Sequence, residues 1–176
     1  MAVVDERRTV GVVLVVPDPV GSDVAAVRAA VGDELGAAIP THITLLPPTR
    51  IDARQHEAFD EHLHRVARTR APVRIALAGS DTFRPVSEVV FLSVGEGAQD
   101  CTELNALVCA GPVSTPSRFV FHPHVTLAHD VHEHVLDRVA ARYADVDTAF
   151  VVGEMCLYSL DSQTGWRVAE RYAFTG

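Results

Sequence analysis

Apolar and polar positions along the chain alternate between strand-like runs and helix-like periods. Thr9 to Val16 is a β-branched run stopped by Pro17, which predicts a strand. Val24, Val27, Val31 and Leu35 recur at a helical period, predicting a helix over Asp23 to Leu35 with Ser22 or Asp23 as N-cap. His42 to Leu46 reads as a short strand ended by Pro47-Pro48. Asp52 to Arg68 has the pattern of an amphipathic helix, and Val73 to Leu77 that of a strand.

The same order then returns. Glu88 to Val94 predicts a strand, Gln99 to Val108 a helix, His124 to Ala128 a short strand, and His132 to Tyr143 a helix with Val135, Val139 and Tyr143 in line. Ala149 to Val152, Met155 to Leu160 and Trp166 to Phe174 close the chain as strands. Each half thus reads strand, helix, short strand, helix, strand, roughly over 8–80 and 86–176. The short strands carry similar text, His42-Ile-Thr-Leu and His124-Val-Thr-Leu. Two copies point to one pseudo-twofold domain spanning 1–176 and not to a solenoid.

Composition narrows the chemistry. Of 176 residues 48% are hydrophobic and 22% charged, enough apolar material for a core and too little charge for disorder. The run Val10 to Val16 is far short of the roughly 20 apolar residues of a membrane helix. Met1 to Arg8 places charged residues ahead of any apolar stretch, unlike a secretory signal. All 15 basic residues are Arg, which removes lysine Schiff bases, lysine nucleophiles and the P-loop lysine. With 23 acids the net charge is -8, which disfavours coating of long nucleic acid. Cys101, Cys109 and Cys156 are odd in number and lack C-x-x-C spacing. They read as buried free thiols of a reducing, cytoplasmic protein.

The nine histidines are the informative count. In a strand, residues i and i+2 share a face, so His42 sits beside Thr44 and His124 beside Thr126, with Ile43, Leu45, Val125 and Leu127 on the core side. Strands placed side by side would bring two imidazoles and two hydroxyls into one cleft. Imidazole has an ordinary pKa of about 6.5, so one ring can accept a proton while another donates one. The hydroxyls can hold non-bridging phosphate oxygens, which suits metal-free phosphodiester chemistry.

His-apolar-Thr-apolar, twice, about 80 residues apart, with Pro123 before the second copy, resembles the 2H phosphoesterase superfamily. The likeness is nearest to its bacterial 2′,5′ RNA ligase and cyclic phosphodiesterase branch. It implies an α+β fold: two pseudo-twofold-related lobes, each an antiparallel sheet with outer helices, around a central cleft. It further implies hydrolysis of 2′,3′-cyclic phosphates or related 2′,5′ linkages. His42 and His124 would be the catalytic acid and base, Thr44 and Thr126 would bind phosphate, and no cofactor would be needed. The favoured assignment is His124 as base and His42 as acid, exchanged in the ligating direction. Alternatives are a non-catalytic nucleotide-binding module of the same fold and reverse 2′,5′ RNA ligase activity.

Further candidates surround this pair. Arg50, Phe83, Arg84 and Tyr158 could contact substrate, while Trp166 reads as core. His122, His124, His129, His132 and His134 invite a metal reading, but His132 and His134 would diverge on a helix and no cysteine completes a set. His56, His62 and His64 read as solvated surface. The loop Gly111 to Ser117 reads as a connector or a flap. His129 could stand where the family often has a basic or aromatic residue, with Asp130 adding negative charge beside it. The substrate is therefore expected to be a small cyclic nucleotide or an RNA end, bound by a monomer with no membrane partner.

Overall fold

A computed structural model describes residues 7–115 and 119–176. The chain runs β1 (Arg8–Val15), α1 (Val20–Ala30), a 3-10 turn (Glu34–Ala37), β2 (His42–Ile51), α2 (Ala53–Arg68), β3 (Val73–Thr82), β4 (Val89–Val94), α3 (Ala98–Cys109), β5 (His124–His129), α4 (Glu133–Arg142), β6 (Asp147–Val152), β7 (Glu154–Asp161) and β8 (Gly165–Ala173). Two four-stranded antiparallel sheets result, ordered β2-β1-β7-β8 and β5-β4-β3-β6. The α+β architecture with two sheet-built lobes is as the sequence predicts.

The sheets are not simply the two halves of the chain. Strand β3 of the first half pairs with β4 of the second, and the C-terminal strands β7 and β8 complete the sheet begun by β1 and β2. Helices also exchange. Helix α1 follows β1 yet packs against β5, while α3 follows β4 yet packs against β2. The Asn105 side-chain amide donates to the Leu45 carbonyl at 2.7 Å, tying α3 to β2. Each lobe is therefore completed by elements from the other half of the chain, and β2 lies against β5.

Several boundaries differ from the sequence reading, each for a local reason. Helix α1 stops at Ala30, not Leu35. Gly32 adopts φ +80°, and the amides of Gly32 and Asp33 bond back to the carbonyls of Ala29 and Arg28, the Schellman pattern. Its start is also earlier, at Val20, with the Asp18 carboxylate accepting from the Ser22 amide. Strand β2 continues through Pro47-Pro48 to Ile51. It is an edge strand, and the pairing shifts register between Val10 and Val12 of β1, so the missing amides break no essential ladder. Strand β3 extends to Thr82 across an irregularity at Gly79, whose φ of +67° and approach to the Ala144 carbonyl leave no room for a side chain.

The main core lies on the helix-facing sides of both sheets. Leu14, Ile43, Leu45, Phe59, Ile75, Leu104, Val125, Leu127, Leu136 and Tyr172 are all effectively buried. Alternation then dictates that His42 and Thr44, and His124 and Thr126, face away from this core. Among the described residues, no helix is long and apolar enough to cross a membrane.

Candidate functional site

The two histidines are held by the same device. His42 Nδ1 lies 2.8 Å from the Pro40 carbonyl, and His124 Nδ1 lies 2.8 Å from the His122 carbonyl. A carbonyl only accepts, so Nδ1 carries the hydrogen in both rings. In the neutral imidazole Nε2 is then the unprotonated nitrogen, ready to take a proton. The backbone bond two residues back also fixes the ring orientation. Upstream, the Thr41 hydroxyl donates to the Gly21 carbonyl at 2.7 Å, anchoring the entry to β2 on the start of α1.

Both rings are half-buried, and burial is the largest influence pushing each pKa below the ordinary imidazole value. The carbonyl bonds oppose this in part. The positive charge of Arg28 and the neighbouring ring of His124 lower His42 further, whereas for His124 the further lowering comes from His122. Arg28 is itself buried. Its Nε donates to Asp33 Oδ2 at 2.7 Å, with side-chain exposures of 8% and 1%. Asp33 Oδ1 accepts from the amides of Leu35 and Gly36.

The surroundings of the two rings differ. His124 sits among aromatic rings: Phe83 meets it edge-on at 4.9 Å, and Phe91 lies at 5.2 Å. Phe83 stacks on Phe91 at 4.2 Å, and His122 is edge-on to both. On the other sheet His42 and Thr44 lie opposite Val15 and Val13 of β1. Val13, Cys156 and Tyr158 form a second apolar cluster there, with Val15, Ile39 and Trp166 packed against it.

The remaining predicted positions divide. Phe83 adjoins His124. Tyr158 lies on the His42–Thr44 face, opposite Gly11, as an almost buried floor residue whose hydroxyl pKa is raised by burial. Arg84 points elsewhere: its guanidinium donates to Asp137 of α4 at 2.7 Å and to the Thr82 hydroxyl. Arg50 pairs with Thr9 at the far end of β2, at roughly 3.3 Å per residue more than 20 Å from His42. Trp166 is not in the main core; it is half-buried on the edge strand β8. It lies on the face of the sheet that carries His42 and Thr44, in the row of Thr9 and Arg50, a place that one strand read without its neighbours' order does not show.

Two histidine expectations need correction. His132 and His134 do not diverge: His132 is the extended N-cap of α4, and its Nδ1 lies 2.7 Å from that of His134. His62 is not merely solvated, since its Nε2 lies 2.8 Å from the Leu107 carbonyl and links α2 to α3. His129 faces Asp130 at 3.4 Å. Among the described residues no three His, Cys, Asp or Glu side chains gather as a metal set. Cys101 and Cys156 are buried thiols, their pKa pushed up to about 11 chiefly by burial, but Cys109 is half-buried. The expected connector or flap at Gly111 to Ser117 lies partly outside the described residues. An apolar groove of about 480 Å³ between α1 and α4 holds none of the site residues.

The paired His-Thr strands β2 and β5 abut between two lobes, each completed by elements of the other half of the chain. The model of the 2′-5′ RNA ligase superfamily matches residues 16–164. The chain belongs to that superfamily, the 2H phosphoesterases. Among curated proteins it is 28% identical over 150 residues to "Putative phosphoesterase GK0864" of Geobacillus kaustophilus, covering 80% of this chain and 82% of the relative. It is 26% identical over 140 residues to "Putative phosphoesterase BLi01284/BL02661" of Bacillus licheniformis, covering 77% and 81%. Among solved structures, apo E. coli LigT superposes with a TM-score of 0.72 at 20% identity, covering 97% of this chain and 99% of LigT. TT0787 of Thermus thermophilus gives 0.66 at 20% identity, covering 96% and 98%.

Proposed function

We propose that the protein is a metal-independent phosphodiesterase that opens 2′,3′-cyclic phosphates, or cleaves related 2′,5′ linkages, of small nucleotides or RNA ends. The observation that carries this reading is the pair of imidazoles on abutting strands, each with Nδ1 bonded to a carbonyl and Nε2 left to do chemistry. Thr44 and Thr126 supply hydroxyls for the phosphate oxygens. Structures of E. coli LigT complexed with 3′-AMP and with ATP support a nucleotide-sized ligand.

In the reaction, one Nε2 takes a proton from water as its oxygen attacks phosphorus in line. The bond from phosphorus to the ribose 3′-oxygen breaks, and the other Nε2, protonated beforehand, gives its proton to that oxygen. The product is a 2′-monophosphate. Burial disfavours the charged form of both rings, and the positive charge of Arg28 adds to this at His42. We therefore place His42 as base and His124 as acid, the reverse of the assignment favoured on sequence. His124 would be charged as the anionic substrate arrives, since an opposite charge raises an imidazole pKa.

The test is incubation with a 2′,3′-cyclic nucleotide in excess EDTA. Formation of the 2′-monophosphate supports the reading. Binding without turnover would replace it by a nucleotide-binding module, and turnover abolished by EDTA would replace it by metal chemistry.

A further inference from the structure

The face of the first sheet that carries His42 and Thr44 extends well beyond them, across β1, β7 and β8. Thr44 lies opposite Val13, Val13 opposite Cys156, and Cys156 opposite Arg171 of β8. Residues directly opposite one another share a face, so all four side chains rise on this one. Three strand spacings separate Thr44 from Arg171, about 14 Å between backbones. In the next row Gly11 lies opposite Tyr158, and Tyr158 opposite Val168. Trp166 follows at the hairpin end and packs on the Val13–Cys156–Tyr158 cluster.

The middle of this face is closed, with Val13, Cys156 and Tyr158 at most 3% exposed, and it opens only toward the β8 edge. The opposite face of the hairpin, with Met155, Leu157 and Tyr172, is closed by the core. On the His42–Thr44 face Tyr158 is 3% exposed, yet Val168 and Leu160 remain 38% and 42% exposed and Trp166 is half-buried. Arg171 is held in place: its Nη1 donates to Glu154 and to Cys156 Sγ, and its side chain is 54% exposed. An aromatic ring, a flat apolar strip and one positioned guanidinium form a platform suited to a nucleobase with an attached phosphate. Arg171 lies in the row of Thr44, while Val168 and Trp166 lie two and four residues further along the strands, about 7 and 13 Å, so a nucleotide joined to a phosphate at Thr44 would reach them only by extending across β1 and β7.

We propose that the β7–β8 face is a second nucleotide subsite, with the neighbouring base on Trp166 and Val168 and its phosphate at Arg171. The inference rests on the phosphodiesterase reading and sharpens its substrate: a short oligonucleotide end, in preference to a free cyclic mononucleotide. A single guanidinium already balanced by Glu154 gives little grip on a long polyanion, in keeping with the net charge of -8.

The experiment compares kcat/KM for 2′,3′-cyclic AMP and for an adenylyl dinucleotide ending in a 2′,3′-cyclic phosphate. The wild type should favour the dinucleotide by about 10-fold or more, as one base stack contributes about 1–3 kcal/mol. Trp166→Ala should reduce that ratio about 10-fold and Trp166→Phe should restore most of it, while Arg171→Gln should raise the dinucleotide KM. An unchanged ratio in Trp166→Ala, or a wild type indifferent to the second nucleotide, overturns the subsite and leaves the phosphodiesterase reading standing. Trp166 is the only tryptophan of the chain, so its fluorescence reads the subsite without turnover. If neither substrate reacts, the phosphodiesterase reading falls. Saturable quenching by the dinucleotide, stronger than by the mononucleotide, would still support the subsite, and its absence would overturn it.

Discussion

Asp33→Asn removes the charge that balances Arg28 while keeping an oxygen for the amides of Leu35 and Gly36. The Arg28–Asp33 contact is 2.7 Å, and both side chains are below 10% exposed, so water cannot replace the carboxylate. Breaking a buried pair on one side costs about 3–5 kcal/mol, because a charge is left uncompensated. For a chain of this size that is a fall in Tm of about 6–20 °C. Urea denaturation at pH 7.5, with thermal melting alongside, measures the loss. The double variant Arg28→Met/Asp33→Asn should recover most of it, since replacing a whole buried pair by apolar groups is close to neutral. The pair also reaches the site. An uncompensated Arg28 pushes the His42 pKa lower, so the acid limb of kcat/KM should move to lower pH in Asp33→Asn and to higher pH than wild type in the double variant. A loss below about 1 kcal/mol, the value of an exposed pair, or an acid limb that stays still in both variants, would refute the argument.

Thr44→Val and Thr126→Val each remove a hydroxyl bond to an anionic phosphate, about 1.5–3 kcal/mol or roughly 10- to 150-fold in kcat/KM, with Tm as the folding control. Stability should fall as the pH drops through about 6.5, because the unfolded chain then protonates imidazoles that burial keeps neutral in the fold; urea midpoints between pH 8 and 5 measure this, and His42→Gln should flatten the slope. If His124 is the acid, His124→Ala should lose about 10²–10⁴-fold on a ribose leaving group and much less on a nitrophenyl phosphodiester, whose leaving group needs no proton. Equal losses on both substrates would return the acid role to His42.

Much of the fold was written in short-range pattern. Strand alternation around His42 and His124 placed both rings opposite the core, and the amphipathic pattern of Asp52 to Arg68 marked α2, whose Asp52–Gln55 capping box the structure adds. What local pattern could not show was partnership. Nothing in Val73 to Thr82 says that it joins the second sheet, or that α1 and α3 cross to the opposite lobe. The same blindness misplaced Arg84, whose partner Asp137 lies 53 residues away, and Trp166, whose exposure depends on β8 being an edge. Pro47-Pro48 misled for a related reason: proline ends a central strand but not an edge strand. The Arg28–Asp33 pair beside His42 was absent from the sequence reading. An Arg and an Asp five residues apart look like surface until Gly32 folds the helix end back over them.

The most direct test of two imidazoles sharing one proton-transfer path without metal is phosphorus NMR of the reaction. It uses a 2′,3′-cyclic nucleotide in ¹⁸O-labelled water and EDTA, with wild type, His42→Ala and His124→Ala. The wild type should yield a 2′-monophosphate carrying one labelled oxygen, and product from either variant should be reduced by about 10²–10⁴-fold. Wild-type rates in either alanine variant would contradict the two-histidine reaction.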